Sequence, residues 1–196
     1  MSFPNAVDLH VKVCGDVRKT YPEDDEAYLS LSEEVDSIIQ YDTQFPRVER
    51  FRLEAIGLNI GAADDVYSME AQRGPISLSV PLALLPDVKH FALSSNGHPD
   101  PSELWVSGAP LPVPALETIS IEIIKSAAWD VGRFVEGLLT KQKQRGEWEA
   151  FCELTVKDNN PKSEGCTRMK AYARDDALEW CKRQSRIYDD VVLMEY

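Results

Sequence analysis

The stretch FPRVERFRL, Phe45 to Leu53, restates a form that the chain has already used as FPNAVDLHV, Phe3 to Val11. It returns as LPDVKHFAL, Leu85 to Leu93, and as VPALETISI, Val113 to Ile121. Aligned at the proline, the copies place apolar residues at the fourth, seventh and ninth positions: Ala6, Leu9, Val11; Val48, Phe51, Leu53; Val88, Phe91, Leu93; and Leu116, Ile119, Ile121. A fifth copy, WEAFCELTV, keeps Phe151, Leu154 and Val156 without the proline, and SRIYDDVVL offers Tyr188, Val191 and Leu193 as a sixth. The seventh and ninth positions alternate with polar residues, as in a strand buried on one face. The fourth sits where the chain turns into that strand. A chain that repeats one half-buried strand must give every copy an equivalent environment, and laying the copies side by side does so.

Three positions beyond the ninth come Cys14, Ile56, Asn96, Ile124 and Asn159. An Asn or Cys there can bond main-chain groups of a turn that would otherwise be buried unpaired. The composite pattern is L-x-x-L-x-L-x-x-N/C, the leucine-rich-repeat signature. Copies start at residues 3, 45, 85, 113 and 148, so the intervals are 42, 40, 28 and 35 residues. Regular repeats of this type run about 20–29 residues, and the longer intervals imply insertions on the outer side. Crossovers of one hand make successive strands parallel. The expected fold is therefore α/β, an irregular leucine-rich-repeat-like solenoid in a single domain over 1–196. Its parallel inner sheet has about five to six strands, with helices and loops on the outer face.

Between the copies, SLSEEVDSIIQY places Val35, Ile38 and Ile39 on one helical face behind a capping box at Ser30 and Glu33. DDVYSMEAQRG allows one or two helical turns, and PISLSVP alternates like a brief extra strand. The Pro- and Gly-rich stretch SNGHPDPSELWVSGAPLPVP, from Ser95, reads as a surface excursion with an extended piece at Glu103–Val106. Val131, Phe134, Val135, Leu138 and Leu139 form a full apolar stripe on a helix that Lys141, Lys143, Arg145 and Gly146 suit as a C-terminus. A last helix is expected over RMKAYARDDALEWCKRQ, turning Met169, Tyr172, Ala173, Ala177 and Trp180 to one side.

The chain has 196 residues, 43% of them hydrophobic, and a formal net charge of −12. Residues 1–100 carry 8 Lys/Arg against 17 Asp/Glu, and residues 101–196 carry 13 against 16. With neither half basic, nucleic acid and anionic membrane surfaces are poor partners. No apolar run approaches the roughly 20 residues that span a bilayer, and MSFPNAVDLH is not a secretory signal. Cys14, Cys152, Cys166 and Cys181 include no CxxC pair, and they read as reduced thiols of a cytoplasmic or nuclear protein.

From the proline-led strands through FVEGLLTKQKQRGEWEAFCELTVKD, the chain resembles the C-terminal leucine-rich region of F-box-like proteins of mushroom-forming fungi. The resemblance is one of pattern: a helix, a turn containing Arg and Gly, and a strand, as here from Phe134 to Val156. It implies repeats that recruit a target protein for a ubiquitin ligase. The F-box of that family has no counterpart in residues 1–44, where the first repeat strand already begins at Phe3. The chain is expected to be either a fragment of a longer protein or a stand-alone repeat protein.

In such a solenoid the polar positions of each strand line the concave face: Asp8, His10, Lys12; Arg50, Arg52, Glu54; His90, Ala92, Ser94; Thr118, Ser120, Glu122; and Glu153, Thr155, Lys157. Mixed charge of this kind gives specificity toward a protein. Arg50 and Arg52 can grip a carboxylate or phosphate, or pair with neighbouring acids such as Asp8. His10 and His90 stand two repeats apart, about 10 Å, too far to share a zinc ion, so no metal and no cofactor are expected. G-x-S-x-G, G-x-x-x-x-G-K-[ST], H-E-x-x-H and G-x-G-x-x-G are absent, and GLNIG (Gly57 to Gly61) has the spacing of neither phosphate motif. The expected function is a non-enzymatic protein-protein interaction module. The alternatives are a small α/β enzyme with a cryptic Cys/His site, for instance Cys14 near His10, and a scaffold that self-associates through its open ends. Cys14 at the Asn/Cys position reads as a structural plug.

Overall fold

The structure is a computed structural model that describes residues 2–16, 29–58, 76–99, 113–124, 128–159 and 168–194. The five copies of the repeated form are five neighbouring parallel strands. These are β1 (Asp8–Asp16), β3 (Arg50–Leu58), β5 (His90–Ser95), β7 (Thr118–Ile123) and β8 (Glu153–Asp158), joined in that order. A sixth strand, β9 (Arg168–Ala173), closes the sheet and runs antiparallel to β8. Each parallel pair of this sheet is separated by at least 22 residues, ample for a crossover, whereas only 9 lie between β8 and β9. A parallel connection takes a dozen or more residues, so the last pair can only be antiparallel. The chain is thus α/β, with a six-stranded, mostly parallel sheet.

The register explains why the nine-residue form recurs. Its fifth residue sits just before each strand, and its carbonyl accepts two main-chain N–H groups from the next copy. Val7 O takes Glu49 and Arg50, Glu49 O takes Lys89 and His90, Lys89 O takes Glu117 and Thr118, and Glu117 O takes Cys152 and Glu153. The strands therefore start level. Leu9, Phe51, Phe91, Ile119 and Leu154 fall opposite one another, as do Val11, Leu53, Leu93, Ile121 and Val156. Both rows join one core, together with the fourth-position residues Val48, Val88, Leu116 and Phe151. Phe51 and Phe91 stack at 5.8 Å between ring centroids, and Phe134 meets Phe91 edge-on at 6.4 Å. The first positions stack as well, Phe3 on Phe45 at 5.4 Å.

Phe134 comes from α2 (Ala128–Gln144), whose stripe Val131, Phe134, Val135, Leu138 and Leu139 is wholly buried. The helix ends as its sequence predicts. Gly146 takes a positive φ of 77°, its N–H bonds Lys143 O, and Glu147 N–H bonds Gln142 O, the two bonds of a Schellman closure. Lys143 lies over the Trp148 ring and Arg145 pairs with Glu147, so these cations serve the helix end. Against α2 packs α3 (Arg174–Met194), contributing buried Ala177, Leu178, Trp180 and Cys181. The helices meet closely at Gly132, where an added Cβ would lie 2.4 Å from Gln184 Cβ.

Three local expectations are corrected. The final helix begins at Arg174, because RMKAYA is strand β9: Met169, Ala171 and Ala173 fall opposite Lys157, Thr155 and Glu153, and Tyr172 packs on Trp180. The sixth copy, SRIYDDVVL, is no strand, since it lies inside α3. Helix α1 (Ser32–Ile38) has Leu31 at its N-cap with no side-chain cap, since Leu31 is drawn into the core. Of the predicted apolar face, Val35 and Ile39 are buried while Ile38 is exposed. The strand expected in PISLSVP exists as β4 (Ile76–Leu78), the middle of a small parallel sheet between β2 (Leu29–Ser30) and β6 (His98–Pro99). Buried Ser79 ties that layer to α1, donating its N–H to Ser32 Oγ and its hydroxyl to Asp36. The helical turns expected in DDVYSMEAQRG and the extended piece at Glu103–Val106 lie outside the described residues.

Candidate functional site

The polar positions of the strands fall into three rows on one face of the sheet. One row runs Asp8, Arg50, His90, Thr118, Glu153. Beside it lie His10, Arg52, Ala92, Ser120, Thr155, and then Lys12, Glu54, Ser94, Glu122, Lys157. Every residue of the expected binding face is thus brought to one surface. Ala173, Ala171 and Met169 of β9 extend the rows, and Met169 is 69% exposed.

Within this face the charges engage one another across the strands. Arg50 grips Asp8 with two guanidinium nitrogens, so this arginine is engaged by the neighbouring acid anticipated for it. The bond from Arg50 holds the Asp8 carboxyl below the usual range, and Asp8 in turn raises Arg50. Glu54, only 16% exposed, receives His10 at 3.1 Å, Lys12 at 3.3 Å and Arg52 at 2.8 Å. Its pKa is lowered, first by the hydrogen bond from Lys12 and then by the charges of Arg52, Lys12 and His10. At the other end Glu122 accepts from Lys157, from Asn159 Nδ2 at 2.6 Å and from Ser94 at 3.3 Å, and Lys157 contributes most to lowering its pKa. His90 Nδ1 meets Thr118 Oγ1 at 3.0 Å.

Between these clusters lies a depression of about 370 Å³, lined by Asp8, Leu9, His10, Arg50, Phe51, Arg52, His90, Phe91, Ala92, Thr118 and Ser120. It opens where the middle row carries only the Ala92 methyl.

The turn positions divide. Asn96 acts as the sequence suggests: its Oδ1 accepts Gly57 N–H and its Nδ2 donates to Gly57 O, each at 2.9 Å. Ser95 adds a bond to Ala55 O. Cys14 is no plug, because it is exposed at the edge strand β1. It stands four residues from His10 along β1, roughly 13 Å of extended chain, and His10 is engaged by Glu54. Cys14 and His10, the pair given as an instance of a cryptic Cys/His site, are therefore not brought together. Among the described residues, no three His, Cys, Asp or Glu side chains group as metal ligands, and no helix is long and apolar enough to cross a membrane.

One organising residue escapes the sequence reading. Gln142, 1% exposed, continues the α2 stripe one turn beyond Leu138. Its Oε1 accepts Leu116 N–H at 3.1 Å, and its Nε2 donates to Leu116 O at 2.8 Å and Glu147 O at 3.1 Å. It thereby fixes the turn that delivers Thr118 and Ser120 to the face. The available signal was a polar residue at the next stripe position. Compared with known proteins, the chain matches no family model, no curated protein and no solved structure.

Proposed function

We propose that this chain is a short leucine-rich-repeat-like solenoid acting as a non-enzymatic protein-protein interaction module, with the three-row polar face as its recognition surface. On this reading it works as the target-binding repeats of F-box-like ubiquitin-ligase receptors do, and it meets its partner in the cytoplasm or nucleus. The observation that carries the reading is the alignment of five equivalent strands. They present Asp8, Arg50, Glu54, Glu122 and Lys157 already held in pairs and clusters. Side chains ordered before binding lose less freedom on docking, and patterned charge selects the partner. Carboxylates held low by adjacent cations also differ from a general base tuned toward neutrality. Affinity purification of wild type, Arg50→Glu/Arg52→Glu and a Lys182→Glu control tests the proposal. Partners retained by wild type and the control should be lost from the double variant. Equal retention by all three removes this face from the account.

Self-association is a second reading, favoured by the N-terminal end of the sheet. The outer edge of β1 has no strand beside it among the described residues, and Phe3, Val7, Ile38 and Tyr41 are exposed in that layer. Light scattering across a concentration series decides, and a strictly monomeric protein at high concentration ends it.

A further inference from the structure

We propose that the depression at Ala92 is a recognition notch for one glutamate side chain, presented by an extended segment of the protein partner. This rests on the interaction reading above and names the chemistry that the face selects. Across the middle row, Arg52 and Ser120 flank Ala92 from the two neighbouring strands. They stand about 10 Å apart, two strand spacings. With only a methyl between them, the row has a gap one side chain wide. Its volume of about 370 Å³ suits a single inserted side chain and the backbone beside it.

The rim offers donors to an acid. Each Asp8 oxygen already accepts from Arg50, which offsets that carboxylate's charge. Arg52 gives one nitrogen to Glu54, leaving other guanidinium N–H groups. The Ser120 hydroxyl has no hydrogen-bond partner among the described residues, and His90 engages Thr118 through Nδ1 alone. Charge points the same way. Lys12 and Arg52 share a single carboxylate, Glu54, so two full positive charges stand over one negative. At the β8 end Glu153 has, among the described residues, only the Thr155 hydroxyl against it, which makes the β1–β5 side the place for an acid. A glutamate meets both demands, its methylene stem over Ala92 and its carboxylate toward Arg52 and Ser120. The net charge of −12 repels long acidic tracts, so the notch selects one acid in an otherwise neutral segment.

The test titrates 15N-labelled protein with the capped peptide acetyl-Ala-Leu-Glu-Leu-Ala-amide and with its Gln and Lys counterparts. Saturable shifts are expected at the amides of Arg52, Ala92 and Ser120, with binding about tenfold weaker for the Gln peptide, the worth of one charge-assisted contact. Ala92→Trp, which fills the gap from the exposed side, should abolish the shifts while leaving the melting temperature unchanged. Arg52→Gln should weaken binding without blocking the gap. Equal affinity for the Glu and Gln peptides, shifts centred elsewhere, or full binding by Ala92→Trp overturns the notch. If any of these occurs while captured partners are still lost from Arg50→Glu/Arg52→Glu, the notch alone falls. If those partners are retained as well, the face falls with it.

Discussion

Replacing Gln142 tests whether one buried amide holds the helix layer to the sheet. Gln142→Leu keeps the volume and helix preference nearly unchanged, yet it removes all three hydrogen bonds. Leu116 is fully buried, so its N–H and C=O both lose their partner where water cannot replace it. Glu147 is half-buried, and its carbonyl can turn to solvent. Two orphaned buried groups at about 1–3 kcal/mol each, less what the apolar side chain gains, give a loss of about 2–4 kcal/mol. Urea unfolding followed by circular dichroism should show a lower midpoint with an unchanged slope. Hydrogen exchange should quicken at Leu116 and Thr118. Gln142→Glu adds a check on the cause. A carboxylate buried against the carbonyls of Leu116 and Glu147 has its folded pKa raised. Its penalty relative to wild type should therefore shrink as pH falls through that value. Stability of Gln142→Leu within about 0.5 kcal/mol of wild type, the range of ordinary surface substitutions, would refute the argument.

Gly132→Ala should destabilise the protein by about 1–3 kcal/mol, the usual cost of overpacking, although alanine is the better helix former, because its Cβ would fall 2.4 Å from Gln184 Cβ; thermal melting checks it. Ellman's reagent should modify the exposed Cys14 and Cys152 in the native protein, whereas Cys181, buried and with its thiol pKa pushed far up by desolvation, should react only on unfolding. Asp8, Glu54 and Glu122 all have lowered carboxyl pKa values. The stability they contribute is present above the unfolded-state value near pH 4 and lost as pH falls through the folded values, so acid titration of Glu54→Gln should show a shallower loss than wild type.

The parallel strands were legible because a strand buried on one face must alternate, and the copies from Phe3 to Val156 alternate in phase. The same alternation named the polar face residue by residue. What failed was decided away from the local pattern. Tyr188, Val191 and Leu193 suit a strand or a helix, and the long helix from Arg174 claims them. RMKAYA has helix-forming residues, yet the open edge of β8 offers it a full set of backbone partners, and tertiary context overrides propensity. Ser30 and Glu33 have the spacing of a capping box, but burial of Leu31 sets where α1 begins. The depression was invisible because it is made by an absence: only register reveals that Ala92 stands between Arg52 and Ser120.

The repeat also explains how a chain so acidic overall can build a balanced surface. On the polar face, Lys12, Arg50, Arg52 and Lys157 offset Asp8, Glu54, Glu122 and Glu153. Facing positions on adjacent strands lie about 5 Å apart, so a like charge placed opposite another would be felt directly. Among Asp, Glu, Lys and Arg the sequence avoids this in every parallel register pair: Asp8 meets Arg50, Lys12 meets Glu54 and Glu122 meets Lys157, while Arg52 also faces His10 and Arg50 also faces His90. Register is thus fixed twice, by the greasy residues on one face and by charge on the other. A one-residue slip would put Phe51 and Phe91 into water and break these contacts together. The same pairing that fixes the fold leaves the face ordered before any partner arrives. On the proposed reading, a partner would be selected by how well it matches charges already in place, and the gap at Ala92, the position of the middle row between Arg52 and Ser120 without a polar side chain, is where that match is tested.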